Sequence, residues 1–158
     1  MCKKSHSVRR VTFADLIFVL AVILIIWSCF TFRFVRINGD SMYPYFHDGQ
    51  IVVINPRFHM EDLQNDDIIV FETVSGYSVK RIIASAGAHV VLTNGEIHIN
   101  SMRILPYIYD GDSTVEYDLG KGQFFVIGDN YSVSCDSRDY GPVDSDDIVG
   151  KVVMKFQG

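Results

Sequence analysis

Three short segments hold the side chains with which this chain could do chemistry. The first is NGDSMYPYFHDG, residues 38–49, where Ser41 stands among Asn38, Gly39, Asp40, Pro44, Asp48 and Gly49. These neighbours are turn formers, so the segment reads as a loop. A serine hydroxyl is a weak nucleophile until a base takes its proton. His47 is near in the chain, but a place on the same loop says little about reach; His59, His89 and His98 read as ordinary loop or strand residues. The second segment, SVKRIIASAG at 78–87, offers another base. Alternation along a strand sends Lys80 and Arg81 to opposite faces: Lys80 with Ser78, Ile82 and Ala84, Arg81 with Val79 and Ile83. Both faces are apolar, so periodicity leaves open which charge turns inward. A buried lysine loses charge stabilisation, its pKa falls, and the neutral amine can act as a general base. The alternative is an edge strand guarded by charge. The third segment, FFVIGDNYSVSCDSRDYGPV at 124–143, runs from an apolar strand into Asp129 and a cluster of Ser132, Ser134, Asp136, Ser137, Arg138 and Asp139. Arg138 can make a two-pronged contact with Asp136 or Asp129. Loops of this composition also often only solvate the end of a sheet.

The elements that must position these groups can be read around them. The chain has 158 residues and a formal charge of -5, unevenly spread. Lys3, Lys4, Arg9 and Arg10 lie in the first ten residues with no acid; the rest holds 10 Lys and Arg against 19 Asp and Glu, a net of -9. An acidic body gives no support to nucleic-acid binding, which wants a basic face. Between tail and body, residues 16–32 form an uncharged run of 17, LIFVLAVILIIWSCFTF. With the residues just before it, the run is long enough to cross a bilayer, which takes roughly 20 apolar residues. A cleaved signal peptide has a shorter apolar region, about 7–15 residues, and ends in small residues; this run ends in Phe30, Thr31, Phe32 and Arg33. A buried soluble helix would need a polar stripe that is lacking. The expectation is an uncleaved anchor at 12–32, with the basic tail at 1–11 kept in the cytoplasm and the body outside the cytoplasmic membrane. Asp15 sits near the inner end, where a charge can reach the interface.

The body, 33–158, reads as mainly β. Runs at 51–54, 68–74, 77–84, 89–93, 96–100, 123–127 and 148–156 are rich in β-branched and aromatic residues and bounded by Gly, Asn and Asp. Asn94-Gly95 marks a two-residue hairpin. No helix-period segment of useful length follows the anchor, so a sandwich or barrel-like sheet arrangement is expected. Residues 101–122, with Pro106, Gly111, Gly120 and Gly122, read as an irregular cap or flap. The cysteines Cys2, Cys29 and Cys135 fall in three different compartments, so no disulfide within the body is expected. Five scattered histidines and one outer cysteine show no ligand spacing, so neither a metal nor another cofactor is expected.

Taken together, the segments resemble bacterial type I signal peptidases, the membrane-bound Ser–Lys proteases that remove signal peptides from exported proteins, in the single-anchor form typical of Gram-positive bacteria. The likeness runs along nearly the whole chain: short basic tail, single anchor, GDSMYP, DDIIVF, VKRIIASAG and GDNYSVSCDSRDYG, in that order. It implies a signal-peptidase-like antiparallel β-sheet catalytic domain. It implies Ser41 as nucleophile and Lys80 as general base, with Ser134 orienting the lysine. Asp136 and Arg138 would form a structural salt bridge beneath the site, with Asp129 nearby. The Ser41 N–H would help to hold the oxyanion. Some relatives take a second donor from a serine two residues before the nucleophile, where this chain has Gly39. The strand before Ser41 and the strand ending at Lys80 would bracket an extended substrate, with Asp40, Met42, Ser78 and Val79 as contacts and shallow pockets for small residues such as alanine. The implied partners are preprotein signal peptides and the lipid bilayer, together with secretion or pilus-assembly machinery. The chain departs from the family pattern at Tyr45, where threonine is usual, at Tyr131, where arginine is common, and at Ala86-Gly87-Ala88, in place of a Pro-Gly-Asp-like turn. Two rivals share the core features. A pilus-assembly relative that binds peptide without cutting it should lack the serine or the lysine. A self-cleaving Ser–Lys repressor-type protease should have a DNA-binding helical domain and no anchor.

Overall fold

The computed structural model describes residues 12–108 and 113–156, without the side chains of 26, 28–30, 105 and 107. The basic tail at 1–11 and part of the expected cap lie outside the described residues. Helix α1, Phe13–Thr31, is opened by a reciprocal cap. The Asp15 carboxylate accepts from the Thr12 N–H at 2.8 Å, and the Asp15 N–H donates to Thr12 Oγ1 at 3.3 Å. Asp15 thus satisfies backbone donors that the first helical turn leaves unpaired. Among the described residues no helix is long and apolar enough to cross a membrane.

After α1 the chain is built from antiparallel strands: β1 Arg33–Arg36, β2 Ile51–Asn55, β3 Ile68–Thr73, β4 Gly76–Ala84, β5 His89–Thr93, β6 Glu96–Ile99, β7 Met102–Ile108, β8 Val115–Asp118, β9 Gln123–Ile127, β10 Val143–Asp144 and β11 Ile148–Lys155. The only α-helix described after α1 is the one-turn α2, Ser137–Tyr140. One sheet has the order β1-β2-β11-β3-β4-β9-β10, and a second has β7-β6-β5-β8. Strands β5 to β8 therefore form an excursion between β4 and β9, which are direct neighbours in the larger sheet. This excursion is what brings the second chemical segment, on β4, beside the third, which follows β9.

The seven expected runs all become strands, and 94–95 makes the expected turn, with φ of 49° and 80° at Asn94 and Gly95. Residues 101–122 differ from expectation. They contribute β7 and β8 to the smaller sheet instead of an irregular flap. Pro106 argued against a strand because it cannot donate to a ladder; β7 lies at the edge of its sheet, where that loss is tolerated.

Alternation distributes the apolar residues among three clusters. On β9, Phe125 and Ile127 face the smaller sheet's cluster with Val90, Leu92 and Ile97, while Phe124 and Val126 face Ile69, Phe71 and Ile82. A third cluster gathers Ile37, Met42 and Phe46 against Val52, Ile54, Ile68 and Val70. It lies directly under the Ser41 loop and fixes its seat.

Candidate active site

The loop bearing Ser41 joins β1 to β2 and is held from several sides. Met42 and Phe46 are fully buried, and the Phe46 N–H donates to the Met42 carbonyl at 2.8 Å. Gly39 has φ +83°, a left-handed conformation that side chains rarely adopt, and its N–H donates to Asp48 Oδ1 at 2.7 Å. From the other side, the Asn130 N–H donates to the Ser41 carbonyl at 2.9 Å and Asn130 Nδ2 to the Asp40 carbonyl at 3.0 Å. The nucleophile candidate is therefore strapped to the segment after β9 by two hydrogen bonds.

Lys80 projects from β4 on the face it shares with Ile82, and it is 4% exposed. Its Nζ lies 3.0 Å from Ser41 Oγ as hydrogen-bond donor. Burial lowers the Lys80 pKa and Arg138 adds to the lowering, against the opposing pull of Asp136 and Cys135. Arg81, on the opposite face, makes a two-pronged ion pair with Asp129 at 2.6 and 2.8 Å. Below the pair, Arg138 Nε and Nη2 hold the Asp136 carboxylate at 2.8 and 2.9 Å, with side chains 9% and 0% exposed. A groove of about 860 Å³ opens over Ser41 and Lys80, walled on one side by residues 35–38 and on the other by residues 71–80. A hydroxyl touching a buried, charge-disfavoured amine at the floor of an open groove can be deprotonated for attack on a carbonyl.

Residues 10–157 match the family described as signal peptidase, peptidase S26. The chain belongs to this family. It is 32% identical over 171 residues to signal peptidase I T of Bacillus subtilis, covering 98% of this chain and 88% of that protein. It is also 32% identical over 158 residues to signal peptidase IB of Staphylococcus aureus strain COL, covering 85% and 83%. A crystal structure of a signal peptidase I from Enterococcus faecalis V583 aligns with a TM-score of 0.47 at 25% identity, over 59% of this chain and 97% of that one. Membership of the signal peptidase family makes the chain a hydrolase of the serine endopeptidase class.

In this signal peptidase the expected site residues do not all end where the sequence put them. Ser41, Met42, Ser78, Val79 and Lys80 all line the groove. Asp40 is not among the lining residues; its carbonyl is taken up by Asn130. Asp136 pairs with Arg138 on α2, whereas Asp129 pairs with Arg81 on β4. Ser134 is buried, but its hydroxyl has no hydrogen-bond partner among the described residues. The lysine-orienting bond implied for it is not among the hydrogen bonds described; the one described for the Lys80 amine goes to Ser41 Oγ.

Sequence reasoning gave no separate role to Gly128 or Asn130, although the Gly-Asp-Asn triplet after an apolar strand was the available signal. A Cβ on Gly128 would collide with the Ser134 side chain and stand 2.5 Å from the Ser41 carbonyl oxygen. Gly128→Ala should therefore push apart the two segments that meet at Ser41. An activity loss of about 100-fold is expected for a displacement near 1 Å. Steady-state cleavage assays check it, and wild-type activity in the alanine variant would contradict the packing argument.

Proposed function

We propose that this protein removes N-terminal signal peptides from exported preproteins, with Ser41 as nucleophile and Lys80 as general base. The observation that carries the reading is the 3.0 Å contact between a buried Lys80 Nζ and Ser41 Oγ at the floor of an open groove. In the reactive state the amine is neutral and the contact runs the other way, with the hydroxyl donating to the nitrogen lone pair. Ser41 attacks the carbonyl of the residue before the scissile bond as Lys80 takes its proton. Collapse of the tetrahedral intermediate expels the amine of the mature protein, which takes a proton from Lys80. An ester to Ser41 remains, and Lys80 then activates water to release the signal peptide.

The Ser41 N–H makes no hydrogen bond among the described residues, which supports its assignment to the developing oxyanion. Gly39 supplies no side-chain donor, and its N–H is occupied by Asp48, so this wall of the groove holds one oxyanion donor. On β4, strand β9 pairs with Arg81, Ile82 and Ala84 only, so the edge at residues 77–80 is open to an extended peptide. Strand addition there would place alternate substrate side chains against Ser78, Val79 and Met42, favouring small residues in an Ala-x-Ala-like pattern.

The apolar segment at 12–32 holds the protein at the membrane in this reading. Leu16, Ile17, Phe18, Leu20, Ile23 and Leu24 are all exposed on it, and water does not solvate such a surface favourably. The catalytic domain then lies outside the cytoplasmic membrane, close to where signal peptides emerge, and proximity assists the reaction. The reading is tested by incubating the detergent-solubilised protein with a secreted preprotein and sequencing the new N-terminus. Cleavage after a small residue is expected, and none with Ser41→Ala. No cleavage by wild type, or cleavage retained in the variant, overturns it.

A further inference from the structure

Tyr45 does not line the groove, and 44% of it is exposed, yet its ring is held from several sides. Its neighbour Phe46, itself fully buried, meets it edge-on with ring centroids 4.9 Å apart. The Arg81 guanidinium carbon lies over the ring at 4.9 Å, and Lys155 Nζ lies over it at 4.0 Å. Lys155 Nζ also donates to the Tyr45 carbonyl at 3.4 Å. A cation over an aromatic face is attracted by the electron-rich ring, and more strongly where water is partly excluded. The Arg81 side chain, 16% exposed, meets that condition. Tyr45 is also a place where this chain departs from the family pattern.

The contacts behind the Ser41–Lys80 pair close a circuit. Tyr45 belongs to the same loop as Ser41. Arg81 follows Lys80 on β4 and points the opposite way. Its Nη1 donates to the Asp66 carbonyl at 2.8 Å, while its Nε and Nη2 hold the Asp129 carboxylate. Asp129 is joined in the chain to Asn130, whose N–H and Nδ2 bond the Ser41 and Asp40 carbonyls. Contacts therefore run from the nucleophile loop through Tyr45 to Arg81, on to Asp129 and Asn130, and back to Ser41. The carboxylate and the carbonyl fix the guanidinium by its N–H groups, and the ring meets its central carbon. Without the ring, the guanidinium is free to swing about the Asp129 carboxylate and take the Asn130 strap with it. A cavity of about 350 Å³ lined by Tyr45, Arg81, Asp66, Asp67 and Lys155 leaves room for that movement.

We propose that Tyr45 is a positioning residue for the Ser41–Lys80 pair, acting through Arg81 and the Asp129–Asn130 strap. This rests on the peptidase reading and deepens it. The ring keeps Arg81 in place behind β4 while Lys80, the preceding residue, meets Ser41 in front. Lys155 brings the end of β11 onto the same ring. No contact is described between Tyr45 and either reacting group, so its loss should slow the chemical step and leave substrate binding alone.

Tyr45→Leu keeps an apolar side chain against Phe46 and removes the aromatic face. In the full chain in detergent it should lower kcat for preprotein cleavage about tenfold with KM unchanged, the scale on which a shift of a fraction of an ångström at the reacting atoms costs rate. Tyr45→Phe, which keeps the ring, should restore kcat. In an Asn130→Ala background the strap is already cut, so Tyr45→Leu should there change kcat by less than about twofold. Hydrogen exchange followed by NMR gives a second reading that needs no activity. Amide protection at Asn130 should fall about tenfold in Tyr45→Leu relative to the amides of β5, as loss of a partly desolvated cation–π contact implies. It should return in Tyr45→Phe. Four results overturn the proposal: an unchanged kcat in Tyr45→Leu, a Tyr45→Phe variant as slow as Tyr45→Leu, a loss that multiplies with that of Asn130→Ala, or protection lost equally at Asn130 and across β5. If the wild type cleaves no preprotein, the peptidase reading falls, while exchange at Asn130 still decides whether Tyr45 holds the strap.

Discussion

Replacing Lys80 with methionine is expected to reduce preprotein cleavage by about 10⁴-fold or more, the scale on which losing the base silences an attacking hydroxyl. The protein should nevertheless stay folded and melt at a higher temperature than wild type at pH 7. Both effects have one cause. Lys80 is buried at 4% exposure, among Ile69, Ile82 and the Ser41 loop, where its ammonium is poorly solvated. Burial lowers its pKa in the folded state. The unfolded chain, with an ordinary lysine pKa near 10.4, then holds a proton more firmly than the native one. Where the unfolded state binds more protons, stability rises with pH. The penalty of burying Lys80 is thus fully present below the lowered folded pKa. It fades as pH climbs from that value to about 10.4. Methionine, similar in shape and uncharged, carries no such penalty, so the melting difference should shrink as the buffer is made alkaline. Wild-type kcat/KM should rise with pH through the lowered lysine ionisation and level off below the normal lysine range. Calorimetry across pH and the pH–rate profile measure the two halves separately. A methionine variant that melts lower than wild type at every pH would show that Lys80 holds the fold together and is not a strained catalytic group.

Asp136→Ala is expected to cost about 3–5 kcal/mol of stability, the usual result of leaving one partner of a buried ion pair alone. That is a large share of the 5–15 kcal/mol by which most domains are stable. The carboxylate does four things at once. It accepts two bonds from the Arg138 guanidinium and one from the Gly128 N–H at 2.9 Å, and it caps α2 through the Arg138 N–H. Arg138 in turn reaches the Ile108 and Ser134 carbonyls, at 2.8 and 3.2 Å. Removing Asp136 therefore releases Gly128, and with it the Asn130 strap on Ser41, so activity should fall with stability. The double variant Asp136→Ala with Arg138→Ala should lose less than the two single losses added together, because no charge is then left buried and unpaired. The milder Asp136→Asn has a further signature. Asp136 raises the Lys80 pKa, so neutralising it should move the pH–rate profile to lower pH. Denaturant titration and that profile check the two claims, and an unmoved profile would deny the electrostatic link between salt bridge and base.

Much of this protein is legible before any fold is known, because its signals are local. The N-terminal apolar helix, the strand runs, the Asn94-Gly95 turn and the serine-bearing loop depend on neighbours only a few residues apart. What was not legible is long-range. β8 and β10 were missed because, with no hairpin turn signal beside them, four and two residues carry too little pattern. Strand β7 was missed because Pro106 argues against a strand unless its place at a sheet edge is known. Asp129 was a possible partner of Arg138 until the β4–β9 pairing put it beside Arg81, 48 positions away.

The chemical inventory, a serine in a tight loop, adjacent cations on an apolar strand and a Gly-Asp-Asn segment with a carboxylate–guanidinium pair, was settled by the sequence alone. Period-two alternation showed further that Lys80 and Arg81 must point opposite ways. It could not say which one points in, since both faces of β4 are apolar and alternation has no sign. That choice belongs to the tertiary structure. The β3 register and the cluster beneath Met42 and Phe46 set Ser41 over one face of β4, and the Asp129 carboxylate meets the other. The contact that makes the site spans 39 positions of chain, and only packing could close it.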